Sequence, residues 1–166
     1  MSNTSENLQA AFAGESQANR RYLFFAEKAD EDGRKQVARL FRAAAEAETV
    51  HAHNHLNVLK GIKSTRENLE EAITGENYEH TEMYPGFIEQ AKAENDNSAG
   101  RSFDLANRVE KIHHGLFREA VSSLEGKSLV EEPFFVCQVC GNTVAGEAPE
   151  KCPICGVPRS RFRRVD

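Results

Sequence analysis

The first 131 residues contain one proline, Pro85, and no cysteine. So little proline leaves long helices free to form, and the stretch is rich in the helix formers Ala, Glu, Leu, Lys and Arg. Also missing is any apolar run near the roughly 18 residues that a membrane helix needs, so no spanning segment is expected. The polar opening MSNTSENLQ lacks the apolar core of a signal peptide. A cytoplasmic chain is expected. Positive charge falls short of negative, 21 Lys and Arg against 26 Asp and Glu, and the net charge of −5 argues against nucleic acid as a partner. The one basic cluster, Arg159, Arg161, Arg163 and Arg164, reads as a solvated tail or a docking rim for an acidic electron donor.

What remains, 39% hydrophobic and 28% charged residues over 166 positions, describes a soluble globular chain with room for one ordinary domain and a small appendage. Breakers at Asp32-Gly33, Gly61, Asn95-Asp96-Asn97 and Gly126 predict helices near 4–31, 34–60, 66–94 and 99–125. Each helix carries a seam at core-facing spacing. The seams run through Leu8, Ala11, Phe12, Tyr22, Phe25 and Ala29; Val37, Leu40, Ala44, His55 and Val58; Leu69, Ile73, Met83 and Phe87; and Phe103, Ala106, Phe117, Ala120 and Leu124.

Near its midpoint each seam is interrupted by glutamate: Glu15, Glu48, Glu76 and Glu110. In antiparallel helices of similar length the midpoints lie at one depth, so these carboxylates are expected to converge. One buried unpaired carboxylate costs several kcal/mol, and a group of them needs positive charge that multivalent cations supply. Two of the four begin Glu-x-x-His, as Glu48–His51 and Glu110–His113, which puts a carboxylate and an imidazole on one helical face. This is the known ligand arrangement of ferritin-like di-iron and di-manganese proteins. Glu79, one turn beyond Glu76, reads as a fifth carboxylate ligand. Tyr22 and Tyr84 read equally as partners of ligand carboxylates or bound oxygen species and as buried phenols that have found a hydrogen bond. His55 is read as a core histidine, His53 lies off the face, and His80 and His114 are uninformative. Glu67, Glu70 and Glu71 form a solvated first turn.

All four cysteines fall within 137–155, as Cys137-Gln-Val-Cys140-Gly141 and Cys152-Pro-Ile-Cys155-Gly156. Two such knuckles supply four thiolates in a tetrahedron, and each glycine permits the tight turn that aims amide N–H groups at sulfur. Iron and zinc both accept this set. Beside a di-iron site, a one-electron iron carrier has a purpose that structural zinc lacks.

The chain resembles the rubrerythrin family over nearly its whole length. The matching stretches are Ala11-Phe12-Ala13-Gly14-Glu15-Ser16-Gln17-Ala18, Glu48-x-x-His51, Gly75-Glu76-x-x-Glu79-x-x-x-Met83-Tyr84-Pro85, Glu110-x-x-His113 and the paired cysteine knuckles. The resemblance implies a mainly α fold: a ferritin-like four-helix bundle over 1–131, then a small rubredoxin-like β/loop module over 132–166. It implies a non-haem peroxidase that reduces hydrogen peroxide to water. Two iron ions would be held by Glu15, Glu48, His51, Glu76, Glu79, Glu110 and His113. A third would be held by Cys137, Cys140, Cys152 and Cys155 and refilled by a reductase or rubredoxin, with zinc a possible substitute in either site. It further implies that one iron moves between positions matching His51 and Glu79. Family members are usually homodimers, some domain-swapped, with the cysteine module of one subunit near the di-iron site of the other.

Overall fold

Asn3 starts the first helix with a reciprocal cap. Its side chain accepts a hydrogen bond from the Glu6 amide (2.9 Å), and the Glu6 carboxylate accepts one from the Asn3 amide (3.0 Å). The computed structural model describes residues 3–124, 126 and 131–166. Helix α1, Thr4–Glu31, turns at Gly33, whose φ of +72° is open to glycine, into α2, Lys35–Val58. These two helices form the first of two compact units, residues 1–63. What they bury is small: Ala26, Ala29, Ala38 and Ala45. Polar ties reinforce the pair. Asn19 donates to the Ala45 carbonyl (2.6 Å) and to Thr49 (2.8 Å), and Arg42 meets Asp30 at 2.8 Å.

Two helices packed through alanines bury one face each, so the larger seam residues stay in solvent. Phe24 is 63% exposed, Leu40 67% and Val58 65%, with Phe25 and Val37 also exposed. The expectation that Phe25, Val37, Leu40 and Val58 face a core is therefore not met. In the second unit the seam positions Phe87 and Leu124 are likewise exposed.

That second unit, residues 64–166, begins with another reciprocal cap, between Ser64 and Glu67. Helix α3 (Thr65–Tyr78), a wide π turn (Glu79–Met83) and α4 (Tyr84–Ala93) replace the uninterrupted helix expected over 66–94. Pro85 explains the break: it has no N–H to return to the carbonyl four residues back, and its ring crowds that carbonyl. Helix α5 (Asn97–Ser123) is capped by Asp96 and lies against α3 and α4, burying Val109 and Ala91. The expected end of this helix at residue 125 lies outside the described residues. The rings of Tyr84, Phe87 and Phe103 cluster with centroids 5.5–6.2 Å apart.

The chain closes with a three-stranded antiparallel sheet, β1 (Phe134–Cys137), β2 (Thr143–Ala145) and β3 (Phe162–Val165), in the order β2-β1-β3. Among the described residues from 131 onward, Cys137, Asn142, Ala148 and Cys152 are buried. The expected class, mainly α with a small β/loop four-cysteine module, is the one observed.

Candidate metal centres

The sequence-predicted helical ligands gather into two sets of three. In the first unit Glu15, Glu48 and His51 bring one ligand atom each within 4.8 Å of the others. His51 Nδ1 lies 2.8 Å from Glu48 and 3.9 Å from Glu15. In the second unit Glu76, Glu110 and His113 gather equally closely, with His113 Nδ1 2.7 Å from Glu110 and 3.8 Å from Glu76. The i, i+3 spacing does this work in both, since it turns the imidazole back over its own carboxylate.

The electrostatics of the second set favour a cation. Glu76 is pushed up to about 7, first by burial and then by Glu110. One of its oxygens, Oε2, is buried without a hydrogen-bond partner. An orphaned carboxylate oxygen pointed at two more ligands is a site that a metal completes. His113 is raised above the usual histidine range by its hydrogen bond to Glu110 and, despite burial, by the nearby acidic charges. Glu79 stands on the π turn. Its carboxyl is raised by burial and by Glu110, so it senses this set without joining the close trio. Tyr84 is likewise raised by burial, Glu110, Glu79 and Glu76, which places it beside the acidic group. Tyr22 instead joins an aromatic cluster with Phe25 and Phe41, at 6.4 and 6.1 Å.

The four thiols gather as expected. The Sγ atoms of Cys137 and Cys155 are 3.7 Å apart, and those of Cys140 and Cys152 are 3.5 Å apart. A tetrahedral thiolate site with metal–sulfur bonds near 2.3 Å has edges of about 3.8 Å, whereas a disulfide needs about 2 Å. The cysteines are free, and their spacing fits a metal. Gly141 and Gly156, with φ of +82° and +80°, close the two knuckles by donating to the Cys137 and Cys152 carbonyls, each at 2.9 Å. Burial opposes ionisation of Cys152, but backbone N–H groups of Cys155 and Ile154 outweigh it and bring the thiol down to about 7. Cys140, where burial dominates, is pushed up.

Both parts of the chain match known families. The family model for rubrerythrin matches residues 6–121, and the rubrerythrin rubredoxin-like domain matches residues 135–163. The chain belongs to the rubrerythrin family. It is 38% identical to rubrerythrin-2 of Clostridium acetobutylicum, over 96% of this chain and 95% of that one. It is 35% identical to nigerythrin of Nitratidesulfovibrio vulgaris, over 96% and 85%. A solved structure of nigerythrin in a mixed-valence state is similar with a TM-score of 0.59 and 34% identity, over 99% of this chain and 88% of that one. The ferritin-like and rubredoxin-like parts of this rubrerythrin thus carry donor sets suited to a carboxylate-bridged di-iron site and an Fe(Cys)4 site.

Sequence reasoning missed two features: the π turn that carries Glu79, and Thr143, whose Oγ1 lies 3.0 Å from His113 Nε2. Pro85 signals the first. Nothing in the spacing signals the second, because it joins residues 30 positions apart. His80 and His114 face each other at 5.4 Å between ring centroids, and His53 contacts Asn57.

Proposed function

We propose that this rubrerythrin is a peroxidase that reduces hydrogen peroxide to water with electrons delivered through its Fe(Cys)4 centre. The observation that carries the reading is the coexistence in one chain of two Glu-x-x-His carboxylate–imidazole sets and a four-thiolate site. Iron held by the two sets would supply the two-electron reducing chemistry that cleavage of an O–O bond needs. The chain's residues hold and orient. Glu15, Glu48, Glu76 and Glu110 would neutralise the cations, and His51 and His113 would complete the donor set. Glu79 and His51 would be the two residues that exchange as iron ligands when the oxidation state changes. The half-exposed His51 and the π turn under Glu79 support this, because both side chains have room to shift. The phenol of Tyr84, raised by burial and the acidic cluster, remains protonated and able to donate a hydrogen bond to bound peroxide. Tyr22, which stands among Phe25 and Phe41, is the second phenol proposed to offer a hydrogen bond to peroxide.

The functional division is 1–131 for the di-iron part and 132–166 for the electron-carrying part, and the extents of the two family models support it. The electron donor is a reductase or a rubredoxin docking at the arginine-bearing end, and the protein works in the cytoplasm. Among the described residues no helix is long and apolar enough to cross a membrane. The working form is a homodimer that can assemble by exchange of helices between copies. Its support is the exposed apolar side chains of the helical hairpin, Phe24, Leu40 and Val58 among them.

Rapid mixing of the anaerobically reduced protein with hydrogen peroxide and, separately, with dioxygen tests the activity. Peroxide should restore the ferric-thiolate colour much faster than dioxygen. Equal or faster reaction with dioxygen, with retention of iron mineral, would replace the peroxidase by an iron oxidase.

A further inference from the structure

His113 has two ring nitrogens with different neighbours. Nδ1 faces Glu110 and Glu76, while Nε2 lies 3.0 Å from Oγ1 of Thr143 on the cysteine module. The Thr143 hydroxyl in turn donates to the carbonyl of Gly141 at 3.0 Å. A hydroxyl has one hydrogen, and here it is committed to Gly141. Both contacts are satisfied together only if Nε2 carries a hydrogen and donates it to Thr143. With Nε2 so engaged, Nδ1 is the nitrogen turned to the carboxylates: without a metal it donates to Glu110, and a metal bound there would replace that hydrogen, leaving Nδ1 as the ligand atom.

The same turn of α5 holds both cysteine knuckles. Val109, one turn before His113 and fully buried, sits where a Cβ on Gly141 would come 3.7 Å from its methyl group. Arg108 donates to the carbonyl of Pro153 at 3.4 Å, between the cysteines of the second knuckle. Gly141 directly follows Cys140. The chain therefore offers an unbroken series of covalent and hydrogen bonds from a thiolate donor to a helical metal donor: Cys140, Gly141, Thr143, His113.

We infer that Thr143 is a positioning residue that fixes the His113 ring for metal binding and joins the four-cysteine module to the helical metal set within one chain. The inference deepens the proposed function and rests on it for its electron-transfer consequence. One electron lost at the tetrathiolate iron is one electron gained at the helical iron. The route needs no proton and leaves Thr143 chemically unchanged.

The test uses the full chain loaded with zinc in every site, which is diamagnetic and takes no part in redox chemistry. Nitrogen-15 spectra report the Nε2-bound hydrogen of His113 and its exchange with water. In Thr143→Val that hydrogen should exchange at least about tenfold faster, while Thr143→Ser restores slow exchange. Thr143→Ala repeats the measurement should valine disturb the strand. In the iron-loaded protein, electron equilibration between the centres should slow by about the same factor in the valine variant and recover in the serine variant. Equal exchange in wild type and both hydroxyl-free variants, or failure of serine to restore it, overturns the inference. A reduced wild type that ignores peroxide would sink the peroxidase reading instead, and the zinc experiment would still decide the role of Thr143.

Discussion

Replacing Glu76 with glutamine should make the metal-free protein more stable at neutral and alkaline pH, although the same change weakens metal binding. Burial and the neighbouring Glu110 raise Glu76 from 4.5 to about 7, so the folded chain holds a proton there that the unfolded chain has released. Between those two values the folded state binds more protons, and stability must fall as pH rises. Below about pH 4.5 the carboxyl is neutral in both states, and no penalty remains. Above about pH 7 it is ionised in both states, and the whole penalty is present. At 1.36 kcal/mol per pH unit the shift corresponds to about 3 kcal/mol, which solvent screening around a partly exposed side chain reduces to about 2. His113 is also raised in the fold, so its contribution is full below the unfolded value near 6.5 and is lost as pH rises through its folded value. Its slope has the same sign as that of Glu76, and Glu76→Gln removes the Glu76 part together with the share of the His113 shift that the Glu76 charge supplies. Urea unfolding of the chelated protein, followed by helical circular dichroism from about pH 4.5 to 8, gives both curves. The variant should gain about 2 kcal/mol over wild type at the alkaline end, and the gap should close at the acid end. Parallel curves would mean that Glu76 is not desolvated in the fold, and the electrostatic case for a cation beside it would fall with it.

Glu79→Ala should keep the helices and most of the iron while slowing peroxide turnover, read by metal content and steady-state kinetics. Full activity would remove Glu79 from the mechanism. Cys152→Ser should abolish the ferric-thiolate colour yet leave a chemically reduced protein able to consume about one peroxide, because the helical ligands are untouched. Loss of that single turnover would show that the two centres are not separable. Ser64→Ala removes the hydroxyl that caps α3 and should cost about 1 kcal/mol in urea unfolding, with no change in iron content. Leu40→Glu should shift the protein toward monomer in sedimentation, since a charge would then stand in the exposed apolar surface of α2.

The helices were legible because their signals are local. Asn3 with Glu6, Ser64 with Glu67, and Asp96 are caps readable within four residues, and Gly33 and Asn95 take the positive φ that ends a helix. The ligand trios were legible for the same reason, because Glu-x-x-His fixes its own geometry wherever a helix forms. Burial was read less well. The period of 3.6 residues identifies a stripe but not its partner, and the stripe through Val37, Leu40 and Val58 remains open in the hairpin that alanines close. Periodicity also treated the stretch from 66 to 94 as one helix because a π turn adds a single residue to one turn and barely disturbs the pattern on either side.

That extra residue bears on the chemistry. In an uninterrupted α-helix Glu76 and Glu79 would be ordinary i, i+3 neighbours and would compete for the same face. The wide turn starts at Glu79, so Glu76 is held by α3 while Glu79 sits where the backbone ladder changes register. Glu76, Glu110 and His113 form the tight trio, and Glu79 stays within electrostatic reach of it. One carboxylate thus stands on regular helix and the next on an irregular turn, the division of labour that the ligand change proposed above would use. Pro85, the lone proline of the helical region, sits just past that turn, so the residue that spoils the regular helix also sets the backbone on which Glu79 stands.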